Sequence, residues 1–125
     1  MGCRCVIVDK DTDKKNANQK IGIYLHWYGD KETIESLLED VKAKHPRGVI
    51  SDPSYGWARL CQIIADKITA DTLASEFQTA KEHAYSTGIG IGLVSTLDCH
   101  NYDNGVYYLD DDFNIVKQTD GMELE

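Results

Sequence analysis

The pattern of apolar and polar positions first predicts two strands joined by a polar loop. Residues Cys5–Asp9 form a short run rich in β-branched side chains. The stretch Lys10–Lys20 is polar and shows no periodicity, which is typical of a mobile hairpin loop. Ile21–Tyr28 alternates, so we expect a second strand with one face on the core. Its apolar odd positions are Ile21, Ile23, Leu25 and Trp27.

The period then changes from two residues to the 3.6 of a helix. Asp30 is suited to cap a first helix that runs to about Lys44, and Pro46 would end it. Apolar residues recur in this segment at helical spacing and predict one buried stripe. They are Ile34, Leu37, Leu38 and Val41.

Further helices are predicted in the middle of the chain. Asp52 and Pro53 supply the cap and the first position of a second helix, which is apolar on most sides and therefore central. A third and weaker helical pattern covers Ala70–Tyr85, with Asp71 as its cap.

Period-two patterning returns from Gly88 and predicts three more strands. The first contains Ile89, Ile91, Leu93 and Val94 and extends to about Asp98. Asp103-Asn104-Gly105 predicts a tight hairpin, because Asn-Gly readily adopts positive φ at both turn positions. Val106–Leu109 would pair back there, and a turn at Asp110–Asp112 would lead to a final strand, Asn114–Gln118.

Together these elements predict an α+β fold. The order ββ-αα(α)-βββ indicates an antiparallel β-sheet of about five strands, packed against two to three helices. We expect one domain over residues 1–120. Residues 121–125 would form a flexible acidic tail, and its final Leu124-Glu125 resembles a vector-derived end.

Composition narrows the class of protein. A chain of 125 residues that is 42% hydrophobic fits one folded domain. Membrane contact and export are not expected, because long apolar runs and an export signal are lacking, so we expect a cytoplasmic protein. The net charge of −8 would repel phosphates, which argues against direct nucleic-acid binding.

The negative charge is concentrated in the last quarter of the chain. Residues 98–125 hold eight acidic side chains and a single basic one, Lys117. One interpretation is solvated turns and a frayed tail. The other is an acidic surface that meets a basic partner protein. Its candidate residues are Asp103, Asp110, Asp111 and Asp112.

A second candidate site rests on the glycines of the segment Gly88–Gly92. Gly88, Gly90 and Gly92 share one strand face. This face would pack an aromatic ring or a helix backbone, admit a small ligand, or mark a bulge that sets the strand register. Arg59 lies in the most apolar helix, where it would pair with Asp98 or bind an anion. A nucleotide or sugar-like ligand would contact a mainly aromatic set of residues. This set is Tyr24, His26, Tyr28, Trp57, Arg59 and Gly90.

Catalytic and metal chemistry are less favoured by the sequence. Asp98, Cys99 and His100 are polar neighbours that could form a Cys/His nucleophile pair with an orienting carboxylate. The acidic pattern that starts at Asp9 has Lys14 where a calcium loop needs glycine. Zinc-type cysteine spacing is also missing. We therefore expect no metal and no cofactor.

Three sequence segments resemble a family of small proteins from phages, prophages and integrative elements of Gram-positive bacteria. They are Tyr24–Asp30, the run Tyr-Gly-Trp-Ala-Arg-Leu-Cys-Gln that begins at Tyr55, and Asp103–Tyr108. The chain departs from the family at Tyr28 and Asp30, where Asn and Gly are usual. The resemblance implies a mobile element in a bacterial cytoplasm and implies no particular activity.

Three functional hypotheses follow from these observations. The first is a non-enzymatic accessory protein of a mobile element that binds a host protein. The second is a small-molecule-binding module, and the third is a Cys/His enzyme. The sequence leaves the oligomeric state open.

Overall fold

The computed structural model describes residues 3–44, 47–74, 88–100 and 103–120, and these ranges contain five strands and two helices. The α+β prediction is confirmed. In chain order the elements are β1 (Cys5–Asp9), β2 (Ile21–Leu25), α1 (Lys31–Ala43), α2 (Pro53–Ala74), β3 (Ile89–Leu93), β4 (Val106–Leu109) and β5 (Ile115–Thr119). A short 3₁₀ turn, Val94–Thr96, follows β3.

The five strands form one mixed sheet in the order β3-β2-β1-β4-β5. Neighbouring strands are antiparallel except for the central pair, since β1 and β4 run parallel with Val6 opposite Val106. The sequence indicates an antiparallel sheet, whereas the observed sheet is mixed because of this one parallel pair. Side chains alternate in the same way in both kinds of pairing, so periodicity does not reveal strand direction.

The hairpin predicted at residues 103–105 is wrong. β4 lies beside β1 and is separated from β3 by two strands. Of the two turn residues, only Gly105 has a positive φ, of +72°, whereas a tight Asn-Gly turn requires it at both positions. The hairpin that joins β4 to β5 is confirmed, and its turn includes Phe113 with φ of 64°.

Helix α1 forms as its sequence predicts. Asp30 caps it, because the carboxylate accepts a hydrogen bond from the backbone N–H of Thr33 at 3.2 Å. The four residues of the apolar stripe are all buried against the sheet and α2. Pro46 lies outside the described residues.

Helix α2 begins at Pro53 and continues through Ala74. The helix start predicted at Asp71 is therefore wrong, because that residue lies within a continuing helix. The remainder of the predicted third helix falls in residues 75–87, outside the described ranges. Among the described helices, none has the length and apolar character needed to cross a membrane.

Both faces of the sheet carry buried side chains. The larger core lies between the sheet and the helices, and it includes Ile7, Leu60 and Tyr107. On the opposite face Val6, Val8, Val106 and Tyr108 pack with residues from two connecting segments. One of these segments is Lys10–Lys20, which folds into turns over the sheet and places Ala17 at 2% exposure.

Strand β2 is shorter than the alternation predicts. It ends at Leu25, and the chain then turns, with Tyr28 at φ of 69°. Ile23 and Leu25 are buried as expected, whereas Ile21 is 40% exposed and Trp27 is 44% exposed. The end of β2 therefore presents an aromatic side chain to solvent.

Candidate functional site

Polar side chains from distant parts of the chain meet around Arg4. The parallel pairing of β1 and β4 brings their N-terminal ends to the same edge of the sheet, so Arg4 lies beside Asp103. The Arg4 side chain contacts Asp103 with Nε at 2.9 Å and Asp98 with Nη1 at 3.1 Å. The backbone N–H of Arg4 also donates to Asp103, at 3.0 Å.

Tyr24 and His26 complete this group. They lie two residues apart at the end of β2, and the Tyr24 hydroxyl is 2.8 Å from Nδ1 of His26. The backbone of His26 is fixed because its N–H donates to the carbonyl of Gly88 at 2.9 Å. We call Arg4, Tyr24, His26, Asp98 and Asp103 the Arg4 cluster.

The electrostatics of the Arg4 cluster are dominated by its arginine. The hydrogen bond from the Arg4 guanidinium lowers the pKa of Asp103, and the same bond raises the pKa of Arg4. Burial raises the pKa of Tyr24, an effect that the positive charge of Arg4 partly offsets. One guanidinium faces two carboxylates, so the formal charges of Arg4, Asp98 and Asp103 leave an excess of one negative charge. Its arginine is neutralised and does not offer an anion site.

Trp27 lies at the border of the Arg4 cluster. Its ring stands edge-on to the His26 ring, with 4.8 Å between the ring centroids. Gly88, at φ of +70°, passes so close that a Cβ there would lie 3.0 Å from Cδ1 of Trp27. The tryptophan is thus held against the backbone on one side, while 44% of its surface remains exposed.

Sequence reasoning missed Arg4 and placed Trp27 on the core face. Arg4 belongs to no recognisable motif, and it meets its carboxylates only because β4 lies beside β1. Trp27 lies in the Tyr24–Asp30 segment of the family resemblance, but the alternation of β2 did not mark it as exposed. The rarity of arginine, with only three in the chain, was a usable signal. This rarity marks Arg4 as much as Arg59.

The structure does not bring the residues that were predicted to bind a small molecule together in one site. Tyr24, His26 and Gly90 lie near one another, since Gly90 pairs with Tyr24 across the β2–β3 ladder. Trp57 is 3% exposed in the core on the opposite, helical face. Tyr28 lines a separate groove of about 300 Å³ beside α1.

Arg59 is exposed on α2 and forms no ion pair with Asp98, although both lie within the described ranges. Asp98 instead pairs with Arg4. The predicted Arg59–Asp98 pair is therefore wrong, because the two residues lie on different sides of the sheet.

The candidate nucleophile pair is not assembled either. Cys99 is 1% exposed, and its thiol donates a weak hydrogen bond to the carbonyl of Val94 at 3.7 Å. Burial raises the pKa of Cys99 to about 11, so the thiol stays protonated at neutral pH. His100 is exposed to solvent next to it.

Three of the four candidate aspartates of the acidic surface take part in the fold. Asp103 binds Arg4, and Asp110 accepts hydrogen bonds from the backbone N–H groups of Asp112 and Asn114 at 2.9 and 2.8 Å. Asp111 accepts hydrogen bonds from the backbone N–H groups of Ile50 and Ser51, about 60 positions earlier in the chain. The Asp112 side chain is exposed.

Metal-binding arrangements are not found among the described side chains, where no three potential ligands converge. The first aspartate of the calcium-like pattern, Asp9, is buried and paired with Lys20 Nζ at 3.1 Å. All four cysteines are free thiols.

Comparison of the chain with protein-family models, with curated proteins and with solved structures finds no match.

Proposed function

We propose that the chain is a non-enzymatic accessory protein of a bacterial mobile element that binds a host protein in the cytoplasm. The proposed contact surface is Trp27 together with the Arg4 cluster. The observation that carries this proposal is an exposed tryptophan fixed beside a cluster with an excess of negative formal charge. The resemblance to phage and integrative-element proteins supports the mobile-element context only.

Physical reasons favour Trp27 as the centre of a protein contact. Tryptophan and arginine are enriched among the residues that dominate binding energy at protein interfaces. Trp27 is already ordered by His26 and Gly88, so little side-chain entropy is lost when a partner covers it. Its exposed ring offers an apolar contact area and a π face for a cation.

The charge of the site indicates the kind of partner. Asp98 is paired with Arg4 and keeps 48% of its side chain exposed, so a carboxylate of the cluster lies at the surface. A partner segment with an arginine or lysine next to an apolar pocket would match both Asp98 and Trp27. We therefore expect a basic segment of the host protein to bind here.

The experiment is affinity capture from lysate of a bacterial host, with the purified chain and two variants as bait. Trp27→Ala removes the proposed anchor. Tyr55→Ala is the matched control, because Tyr55 is an aromatic residue at 52% exposure on α2. The affinity for the captured protein would then be measured with purified components at two salt concentrations.

We expect Trp27→Ala to weaken the affinity for the partner at least about 30-fold, which corresponds to a loss of about 2 kcal/mol of binding free energy. Tyr55→Ala should bind like the wild type, and added salt should weaken both of these complexes. Equal capture by wild type and Trp27→Ala, or no specific capture by the wild type, would refute the proposal.

A further inference from the structure

Within the part of the chain that the structure describes, strand β3 forms an outer edge of the sheet, and it carries no charged residue. Its sequence is Ile-Gly-Ile-Gly-Leu, in which Ile91 is 52% exposed and Leu93 is 43% exposed. Ile21, which pairs with Leu93, extends this apolar surface. Natural edge strands usually carry a charge, a bulge or a proline that discourages pairing with another chain.

The opposite edge of the sheet has such protection. β5 contains Lys117, and its pairing with β4 is irregular between Tyr108 and Leu109. Val116 is as exposed as Ile91, at 52%, but it lies next to this lysine. This contrast between the two edges of one sheet indicates that the β3 edge is suited to pair with another strand.

The backbone of β3 presents its odd-numbered residues to the open edge. The hydrogen bonds that flank the β2–β3 ladder join His26 to Gly88 and Val94 to Lys20. Because bonded and non-bonded pairs alternate in an antiparallel ladder, Gly90 and Gly92 also bond inward to β2. The N–H and C=O groups of Ile89, Ile91 and Leu93 then point outward.

We propose that β3 pairs with β3 of a second copy of this chain in antiparallel orientation, with Ile91 at the two-fold axis. In this register Ile89 lies opposite Leu93 of the second copy, and Gly90 lies opposite Gly92. Large side chains thus meet large ones on one face, and glycine meets glycine on the other. Such self-complementarity is what a two-fold symmetric interface requires.

The outward backbone groups fit the same register. Ile91 would exchange two hydrogen bonds with its counterpart, and each of the two Ile89–Leu93 pairs would add two, for about six in all. The carbonyl of Leu93 already accepts from the Thr96 hydroxyl at 2.7 Å. A carbonyl oxygen has two lone pairs, so this bond does not block the pairing. The two sheets would join into one continuous sheet.

The acidic β4–β5 turn lies far from the β3 edge and does not oppose a second copy there. The acidic β4–β5 turn belongs to the strands farthest from β3, since β5 is four strand positions away. At a strand spacing of about 4.8 Å this separation is roughly 19 Å, about twice the screening length at physiological salt. Two copies joined at β3 therefore hold their acidic edges far apart.

This inference goes beyond the proposed function, because the strand pairing does not use Trp27 or the Arg4 cluster. Its test is the molar mass of the purified chain, measured by analytical ultracentrifugation over a concentration series. A contact along one strand is small, so we expect a dimer to form at roughly 100 µM. Molar masses that remain monomeric up to about 1 mM would overturn the proposal.

Two lysine substitutions locate the contact. Ile91→Lys places two positive charges opposite each other at the two-fold axis and should weaken the dimer at least about tenfold. Val116→Lys is the matched control at the other edge, with the same exposure and the same change of charge, and should dimerise like the wild type. A dimer that survives Ile91→Lys, or that only Val116→Lys disrupts, would contradict the β3 register.

Hydrogen exchange provides a readout that needs no variant. In the dimer the amides of Ile89, Ile91 and Leu93 should exchange more slowly, and this protection should disappear on dilution. Protection that appears only when another protein is added, while the chain stays monomeric, would assign the edge to a partner strand. That result would also overturn the proposal.

Discussion

Replacing Asp111 is expected to destabilise the fold, although this residue lies in an exposed acidic turn. Its Oδ1 accepts hydrogen bonds from the backbone N–H groups of Ile50 at 2.9 Å and Ser51 at 3.0 Å. The approach is close, since a Cβ on Gly48 would collide with the carboxylate. Asp111 thereby fastens the β4–β5 turn to the segment that leads into α2.

The magnitude follows from the two hydrogen bonds. A bond to a charged group contributes about 1.5–3 kcal/mol when it is well shielded. Ser51 is exposed and Ile50 is partly buried, so in the variant water can accept hydrogen bonds from these N–H groups and offset part of the lost stability. We therefore expect Asp111→Ala to lower the free energy of unfolding by about 2 kcal/mol, which corresponds to a fall in Tm of roughly 8 °C. Asp111→Asn keeps an acceptor oxygen and should cost about 1 kcal/mol.

The assay is urea unfolding of the wild type, Asp111→Ala, Asp111→Asn and Asp112→Asn at neutral pH. Asp112→Asn is the control, because it removes the same charge from the same turn at an exposed side chain. A second series of urea unfolding measurements at acidic pH tests how much the negative charge of Asp111 contributes to the free energy of unfolding. The hydrogen bonds from Ser51 and Ile50 lower the pKa of Asp111 in the folded state.

Because this pKa is depressed, the stabilisation by the ionised Asp111 is fully present above its ordinary pKa and is lost as the pH falls through the lower, folded value. The difference between the wild type and Asp111→Ala should therefore shrink between about pH 5 and pH 2. If Asp111→Ala and Asp112→Asn were equally stable at neutral pH, the anchoring role of Asp111 would be wrong.

Three further predictions concern other parts of the molecule. Tyr107→Phe removes a buried hydrogen bond of 2.7 Å to the carbonyl of Gly29 and should lower the free energy of unfolding by about 1–2 kcal/mol in urea unfolding. Cys99 should react with a thiol reagent far more slowly in the folded chain than in urea, because it is buried and its pKa is raised to about 11; mass spectrometry of labelled peptides would show an equal rate if this is wrong. Hydrogen bonding also lowers the pKa of Asp30 and Asp103, so the Tm should fall as the pH is lowered from about 5 towards 2, and a constant Tm over this range would contradict the assigned bonds.

The sequence predicts well those features that depend on neighbouring residues. Asp30 caps α1, and the spacing of the apolar residues fixes the face that α1 buries. Pro53 marks the start of α2 as expected. A cap or a helical stripe depends on contacts within a few positions, so the local pattern contains the information that determines it.

The composition of the two central strands contains information that an analysis of alternation alone does not use. β1 and β4 are buried along their whole length, and both are continuous runs of mainly apolar residues. Such runs are typical of interior strands, whereas alternation is typical of strands with one solvated face. This signal identifies the two strands as central, but it does not give their direction.

The candidate site could not be derived from the sequence, because its residues lie far apart in the chain. Arg4 and Asp103 are separated by 99 positions and meet only through the parallel pairing of β1 and β4. The aromatic set was divided between the two faces of the sheet, since Trp57 turns into the helical core while Tyr24 faces the other way.

The sequence by itself determined the class of fold, the boundaries of β1, α1 and β4, and the face that α1 buries. Only the tertiary structure decided that β4 lies beside β1, that the polar loop covers the second face and that β3 lies at the edge of the sheet formed by the described strands. The physical reason is that secondary structure follows local dihedral and burial preferences. The choice of strand neighbours instead depends on which arrangement satisfies all backbone hydrogen bonds and buries both faces at once.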